Sequence, residues 1–219
     1  MLLHAILAPH FQKLAVLGID LSVTAVRLAR MNLEHNIRHG LLLNRSSTEV
    51  LFRQGDVLGG NRGMISNVEE ILKNYAEEMD ASESVEWDVL VSNPPYISSL
   101  SYQDGSTARS VRHFEPKLAL VPPAEITMKT SEAYNQEDAF YHRLVALSFK
   151  LSVKLTVLEC GNRHQGSRVA NICKQFASRL HQDYKWSIDI WPDVGASHYG
   201  GFDGEHGACA VVLQKQLAK

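Results

Sequence analysis

An α/β fold is predicted by the alternation of short apolar runs with segments of helical periodicity along the chain. Three of the apolar runs end at polar side chains: the first at Asp20, the second at Asp56 and the third directly before Asn93. Buried runs separated by helices are typical of parallel strands, whose carboxyl ends meet at one edge of a sheet. We therefore expect a helix-covered sheet with these three residues at its carboxyl edge.

The individual elements follow from residue spacing and capping residues. Ser22 is a good helix cap, and the apolar residues after it follow helical spacing, namely Ala25, Val26, Leu28, Ala29 and Leu33. The last two apolar runs are expected to form an antiparallel pair that closes the sheet. Strands are expected at 14–20, 50–56, 87–92, 154–159, 186–191 and 207–213, and further helices at 136–150 and 167–180.

Length and composition favour one globular domain over residues 1–219. Of the 219 residues 45% are hydrophobic, which suits one sizeable core but not two full domains. A formal net charge of −2 provides no general attraction to nucleic acid. The three cysteines have no CxxC spacing, so neither a disulfide framework nor a zinc site is expected. No apolar run approaches the ~20 residues that span a bilayer, and we expect an intracellular protein without a membrane partner.

Two segments interrupt the alternation of strands and helices. Residues 59–88 carry eight acidic side chains, so we interpret them as an acidic insertion whose helix lies in solvent. Its weak apolar stripe consists of Val68, Ile71, Leu72 and Tyr75. Residues 97–135 lack sustained periodicity, which predicts a long irregular connection, and such loops over a strand end usually serve substrate.

The turn Asn93-Pro94-Pro95-Tyr96 has the groups that would hold a planar nitrogen. Its prolines lack N–H groups, which leaves carbonyls free to accept hydrogen bonds from a ligand. An NH2 group can donate one hydrogen to the Asn93 side-chain oxygen and the other to the Pro94 carbonyl, while the Tyr96 ring stacks on a flat amide. These acceptors would direct electron density toward an electrophilic methyl group. The pattern indicates nitrogen methylation with Asn93, Pro94, Pro95 and Tyr96 as catalytic residues; a merely rigid turn is the alternative.

Asp20 and Asp56 are candidate cofactor residues. In dinucleotide sites an acid at a strand end takes ribose hydroxyls, and Asp20 is placed for that role. Asp56 is placed for an adenine amino group, and Val57 would pack on the adenine ring. Each Asp alone could equally cap a helix, but together with Asn93 they favour a cofactor site.

Motifs spread along residues 1–180 match one enzyme family. They are Asp20, Gly55-Asp56, the segment 92–97 (Ser-Asn-Pro-Pro-Tyr-Ile), the segment 111–120 (Val-Arg-His-Phe-Glu-Pro-Lys-Leu-Ala-Leu), 158–161 (Leu-Glu-Cys-Gly) and Gln165-Gly166. The chain thereby resembles the peptide chain release factor glutamine methyltransferases, also called HemK-type enzymes.

The resemblance implies a Rossmann-like class I methyltransferase sheet that binds S-adenosyl-L-methionine and needs no metal. Cofactor-binding residues would be Asp20, Asp56, Val57 and Asn93. The implied reaction is methylation of the glutamine in the Gly-Gly-Gln motif of a class I release factor, with Asn93 and Pro94 holding the amide. We expect a monomer, and a mitochondrial rather than a cytosolic location.

Two alternative functions stay open. An adenine-N6 methyltransferase acting on DNA or RNA would place an exocyclic amine on the same acceptors and stack the base on Tyr96. The segments Glu115-Pro116 and Ala119-Leu120 separate the chain from DNA adenine methyltransferases with the same turn. The other alternative is a non-catalytic remnant. Glu115 is expected to anchor its loop and Glu159 to satisfy backbone donors.

The chain departs from the family at its amino-terminal end. The family's first strand, the glycine-rich loop after it and the amino-terminal helical domain have no counterpart. That strand would lie between the strands ending in Asp20 and Asn93, and unpaired buried backbone groups cost roughly 1–3 kcal/mol each. We therefore expect a truncated chain, as part of a longer reading frame, or a rearranged sheet centre.

Overall fold

The fold is α/β, as predicted, with parallel strands followed by helices. The computed structural model describes residues 1–59, 65–78, 85–124, 135–179, 184–192 and 207–217. Contacts divide the chain into two compact units, 1–85 and 86–219. None of the described helices is both long and apolar enough to cross a membrane.

The first unit is built on two parallel strands, β1 (Val16–Asp20) and β2 (Val50–Gln54). They pair in register from Val16 opposite Val50 to Asp20 opposite Gln54, which confirms the first two predicted strands. Its helices are α1 (Leu2–Leu7), α2 (Val23–Arg38), α3 (Ser46–Glu49) and α4 (Val68–Glu78). The predicted cap of α2 is confirmed, because the Ser22 hydroxyl oxygen accepts a hydrogen bond from the Ala25 N–H at 3.3 Å.

Helix α2 buries a narrower face than its apolar spacing predicts. Val26 and Leu33 are buried, whereas Leu28 is 54% exposed. Leu28 lies two residues beyond Val26 and therefore about 200° around the helix axis. Leu33 packs with Leu42 and Val50 in a small core.

Helix α4 corrects the interpretation of residues 59–88 as an insertion whose helix lies in solvent. Val68, Ile71 and Tyr75 are only 4–6% exposed, so one face of the helix is buried. The acidic side chains occupy the remaining faces, where water solvates them. The segment is anchored at its start by a bridge between Asp56 and Asn67. Three buried side chains were therefore enough to dock an otherwise acidic helix.

A buried polar cluster fixes the amino-terminal helix α1. His4 is completely buried, and its Nε2 atom lies 2.7 Å from Glu49 Oε2. Arg45 donates hydrogen bonds to the carbonyls of Ala8, Phe11 and Gln12, the last at 2.6 Å, and to Glu49. The Arg45 guanidinium thus holds the segment after α1 against α3.

The second unit contains a four-stranded sheet in the order β3-β4-β6-β5. Strands β3 and β4 are parallel, whereas β6 pairs antiparallel with both β4 and β5, which confirms the predicted closing pair. In the described part of the chain, β1 pairs with β2 alone and β3 with β4 alone. The strands are β3 (Val89–Ser92), β4 (Leu155–Cys160), β5 (Tyr184–Pro192) and β6 (Cys209–Leu217).

The connection after β3 is more regular than predicted. Three short helices occupy it: α5 (Ser99–Gln103), α6 (Arg109–Phe114) and α7 (Lys117–Leu120). Helices of four to six residues are too short to show apolar periodicity, which is why this segment was predicted to be irregular. Residues 125–134 of the connection lie outside the described residues. Two long helices then cover the sheet, α8 (Ala139–Lys150) and α9 (Arg163–Arg179).

Candidate active site

The Asn93-Pro94-Pro95-Tyr96 turn begins directly where β3 ends at Ser92. The Asn93 side chain is exposed, and it makes no hydrogen bond to any described residue. Pro94 is buried, yet its carbonyl accepts no hydrogen bond from the described residues. Asn93, Pro94 and Tyr96 all line a cavity of about 960 Å³. The turn thus presents two unused acceptors beside a space that can hold a ligand.

Tyr96 is held in place through its hydroxyl, its ring and the following N–H group. Its hydroxyl donates to Glu159 Oε1 at 3.2 Å. The ring lies against Gly161, where a Cβ atom would come within 2.9 Å of Tyr96 Cδ2, so only glycine leaves room for it. The Ile97 N–H donates to the Leu120 carbonyl at 2.9 Å. The aromatic face of the turn therefore has a fixed position.

The protonation of Tyr96 suits this hydrogen bond. Burial, followed by the negative charge of Glu159, raises the pKa of Tyr96 to about 12. The hydroxyl therefore keeps its proton at neutral pH and remains the donor. Glu159 was expected to satisfy backbone donors, but its carboxylate instead accepts from Tyr96, and its backbone carbonyl accepts from the Tyr141 hydroxyl at 2.7 Å.

Hydroxyl and carboxylate groups form part of the cavity wall. Ser98, Ser101, Ser106 and Thr107 contribute hydroxyls, and Glu115 and Glu137 contribute carboxylates. Arg168 is the one arginine or lysine among the described residues that line the cavity, and it is paired with Glu137 and Asp138. Glu115, which was expected to anchor its loop, has an exposed side chain at this wall. The cavity is therefore rich in acceptors and lacks a free fixed cation in the described lining.

A second cavity of about 450 Å³ is also lined by Asn93. Its floor is the end of the sheet, where Glu159, Ala210 and Trp191 pair in one row across β4, β6 and β5. Residues paired directly across antiparallel strands point to the same face, so the small Ala210 leaves a trough between Glu159 and Trp191. Asn93 consequently borders both cavities.

The predicted cofactor residues Asp20 and Asp56 lie at the carboxyl edge of the β1–β2 pair. Gly55 joins them: its N–H donates to the Asp20 carbonyl at 2.9 Å, and a Cβ atom there would lie 2.3 Å from Ile71 Cδ1. Asp20 is exposed and also accepts from the Ser22 N–H at 2.7 Å, a contact in the turn that leads into α2. The half-buried Val57 follows Asp56 directly.

Asp56 has an unused acceptor. The residue is 3% exposed, and its Oδ1 atom accepts from the Leu58 N–H at 2.9 Å. Its Oδ2 atom is buried and makes no hydrogen bond to the described part of the chain. This oxygen is therefore able to accept a hydrogen bond from a ligand donor.

The predicted site residues therefore fall into two groups. Asp20, Asp56 and Val57 belong to the first unit, and Asn93 to Tyr96 belong to the second. The structure adds Glu159, Gly161 and Gln165 to the second group, all of which contact Tyr96 or its neighbours. Their motifs are visible in the sequence, but their contacts with a residue more than 60 positions away are not.

The chain was also compared with known proteins. No protein-family model and no curated protein sequence match it. Solved structures do match, among them the human methyltransferase 10 domain containing protein, with 10% identity and a TM-score of 0.44 over 97% of this chain and 66% of that one. The hMettl16 catalytic domain in complex with MAT2A 3′UTR hairpin 6 matches with 13% identity and a TM-score of 0.36, over 91% of this chain and 64% of that one.

A third similar structure is the E. cuniculi Mtq2-Trm112 complex, which is responsible for methylation of the eRF1 translation termination factor. It matches with 14% identity and a TM-score of 0.34, over 98% of this chain and 92% of that one. The chain thus spans 64–66% of the length of the first two structures. With identities of 10–14% and TM-scores of 0.34–0.44, these are distant similarities.

Proposed function

We infer that this protein derives from, and acts as, an S-adenosyl-L-methionine-dependent methyltransferase of the glutamine side-chain amide in the Gly-Gly-Gln motif of a class I release factor. One observation carries the inference. The turn at 93–96 places the unpaired Asn93 side chain, the unpaired Pro94 carbonyl and the fixed Tyr96 ring at one wall of a cavity of about 960 Å³.

The geometry of the turn fits the chemistry of an amide nitrogen. Such a nitrogen is a poor nucleophile because its lone pair is delocalised into the carbonyl. Asn93 Oδ1 and the Pro94 carbonyl would each accept one of its hydrogens and orient the lone pair toward the methyl donor. Tyr96 would cover the flat amide and exclude water. Orientation of this kind can supply several orders of magnitude in rate without a strong base.

The residues of the first unit fit the cofactor. S-adenosyl-L-methionine, when bound, supplies an electrophilic methyl group on a positively charged sulfur. The buried, unpaired Oδ2 atom of Asp56 suits the adenine amino group, and the exposed Asp20 carboxylate suits the ribose hydroxyls. Val57 would pack on the adenine ring. These roles require no metal ion.

The cavity wall favours a protein substrate over nucleic acid. Nucleic-acid sites need lysine or arginine free to contact phosphates. Here Arg168 is paired with Glu137 and Asp138, while Glu115 adds an exposed carboxylate to the described lining. The carboxylates would repel the phosphates of a nucleic acid. A peptide has no phosphates, and its N–H groups can donate hydrogen bonds to the hydroxyls and carboxylates.

Calorimetric titration tests the cofactor assignment. We expect S-adenosyl-L-methionine to bind the full chain, and Asp56→Asn to weaken that binding by about tenfold, because a charged acceptor contributes roughly 1.5–3 kcal/mol to a hydrogen bond. Asp189→Asn, the same change at an exposed position of β5, should bind as the wild type does. Absence of binding heat at millimolar cofactor would show that this chain is a non-catalytic remnant.

Methyl transfer tests the substrate. A class I release factor and an adenine-containing oligonucleotide are offered side by side with labelled cofactor. The label should enter the release factor, and Asn93→Ala should abolish transfer while cofactor affinity changes far less. Label in the oligonucleotide would instead establish adenine methylation, and undiminished transfer by Asn93→Ala would remove the role assigned to that side chain.

A further inference from the structure

Gln165 lies where the first turn of α9 passes behind the Asn93–Tyr96 turn. Its backbone is fixed because its N–H donates to the Asn162 side-chain oxygen at 2.9 Å, which caps the helix. It is only 3% exposed, although it borders the same cavity as the turn. A buried amide in such a position must have donors and acceptors matched by the protein.

The contacts of Gln165 define the orientation of its amide. The oxygen Oε1 accepts from the Gly161 N–H at 2.9 Å. The nitrogen Nε2 faces three acceptors: the Tyr96 carbonyl at 3.3 Å, the Glu137 carbonyl at 3.3 Å and Asp138 Oδ1 at 3.1 Å. The reversed orientation would place an oxygen against three acceptors, so Nε2 is the atom that faces Tyr96.

An ion pair fixes the Asp138 end of this network. Arg168 Nε lies 2.5 Å from Asp138 Oδ2, and Arg168 Nη2 lies 3.0 Å from Asp138 Oδ1. The hydrogen bond to Asp138 also raises the pKa of Arg168, so the guanidinium stays charged. The Gln165 amide therefore links the fixed Asp138 carboxylate to the Tyr96 carbonyl.

The turn depends on such outside contacts more than most turns do. Pro94 and Pro95 have no N–H, so the first backbone donor after Asn93 is that of Tyr96. The turn cannot close itself with hydrogen bonds from its central residues. Among the described residues, Gln165 is the one whose side chain hydrogen-bonds the backbone of the turn.

We propose that Gln165 is a positioning residue whose amide holds the Tyr96 carbonyl and thereby sets the location of Asn93 and Pro94 for the acceptor nitrogen. The role rests on the proposed function, since it deepens the account of the same site. Gln165 borders the same cavity, but its amide hydrogen-bonds to protein groups among the described residues. It acts through Tyr96, and its loss should lower kcat more than it raises the KM for the cofactor.

The first test is independent of activity. Gln165→Glu keeps the shape of the side chain but removes the donor and adds a charge facing Asp138 and two carbonyls. Hydrogen exchange at the Ile97 N–H, next to the turn, should become about tenfold faster, as expected for loss of one hydrogen bond. Gln165→Met, which removes the amide without adding charge, should also accelerate hydrogen exchange at the Ile97 N–H. Gln175→Glu, an identical change at an exposed position of α9, is the matched control.

The second test separates positioning from general stability. In the double variant Gln165→Glu with Asp138→Asn, the amide and the carboxylate exchange places, so their mutual hydrogen bond can form again. The donor to the Tyr96 carbonyl is still missing. We expect thermal stability to recover in part, because Asp138→Asn also removes the ion pair with Arg168. Turnover with the release factor should stay about 10²-fold below wild type, as a small misplacement of reacting groups can cause.

Failure of the positioning role of Gln165 can be distinguished from failure of the proposed function. If the wild type methylates neither acceptor, the function is wrong, but hydrogen exchange at Ile97 still decides whether Gln165 positions the turn. The proposal would be overturned if hydrogen exchange at the Ile97 N–H were as slow in Gln165→Glu and Gln165→Met as in the wild type. Turnover that recovers together with stability in the double variant would also overturn it, because the role would then be structural only.

Discussion

The Tyr96 hydroxyl donates a hydrogen bond to Glu159 Oε1 across 63 positions of sequence, at 3.2 Å. The contact joins the turn after β3 to the end of the neighbouring strand β4. Since burial and the Glu159 charge raise the pKa of Tyr96 to about 12, the hydrogen bond is present throughout the neutral range. It is the clearest link between the local turn and the sheet that carries it.

Stability at high pH should depend on Tyr96. Its folded pKa of about 12 lies above the ordinary value of 10.0, so the folded chain retains this proton more strongly than the unfolded chain. The contribution is fully present below pH 10 and is lost as the pH rises toward 12. Urea unfolding should therefore show a steeper loss of stability between these values for the wild type than for Tyr96→Phe. Equal slopes would contradict the shift, and Tyr184→Phe, at an exposed ring, should behave as the wild type.

Gly161→Ala should destabilise the fold and displace Tyr96. The new Cβ atom would lie 2.9 and 3.1 Å from two Tyr96 ring atoms, closer than normal packing allows. Overpacking of this kind costs about 1–3 kcal/mol. Gly207→Ala is the control, because a Cβ atom there meets nothing within 4 Å. If both variants unfold at the same urea concentration, the close packing of Gly161 against the ring is wrong.

Ile71→Ala tests whether α4 is docked or lies in solvent. Ile71 is 6% exposed, and removal of such a side chain typically costs about 2–5 kcal/mol. Lys73→Ala on the same helix changes a side chain that is 77% exposed and should cost less than about 0.5 kcal/mol. The free energy of unfolding is measured with urea. If both variants lose a similarly small amount of it, the prediction from composition that the helix lies in solvent would be correct.

Arg45→Lys should loosen the amino-terminal segment. Lysine keeps the charge but cannot direct hydrogen bonds in the fork that reaches the Ala8, Phe11 and Gln12 carbonyls. We expect a loss of about 1–3 kcal/mol and faster hydrogen exchange in α1. Arg38→Lys alters a pair with both side chains largely exposed and should be neutral. Equal exchange in the two variants would show that Arg45 does not fix this segment.

The sequence predicts those parts of the fold that depend on local patterns. Apolar runs located β1, β2 and β3 because a buried strand needs successive apolar residues, and Ser22 located the start of α2 because capping involves residues three apart. Leu28 and α4 show the limit of such patterns: which residues are buried depends on what packs against the helix. From composition alone, α4 was predicted to lie in solvent, although Ile71 is buried.

The candidate site divides in the same way. Asp20, Asp56 and Asn93 could be recognised because each stands at the end of an apolar run. Gln165 could not be assigned a role, since its contact with the Tyr96 carbonyl spans 69 positions and depends on the placement of α9. The unpaired Oδ2 atom of Asp56 likewise becomes visible only in the structure, where Asp56 contacts Leu58 and Asn67.

The position of the transferred methyl group tests the central claim most directly. A class I release factor is incubated with the chain and S-adenosyl-L-methionine, digested, and analysed by fragment mass spectrometry. We expect one added methyl group on the side-chain nitrogen of the glutamine in Gly-Gly-Gln, absent with Asn93→Ala. A methyl group on any other residue, or an unmodified glutamine in a sample where the cofactor demonstrably binds, would contradict the assignment of the 93–96 turn as a glutamine amide site.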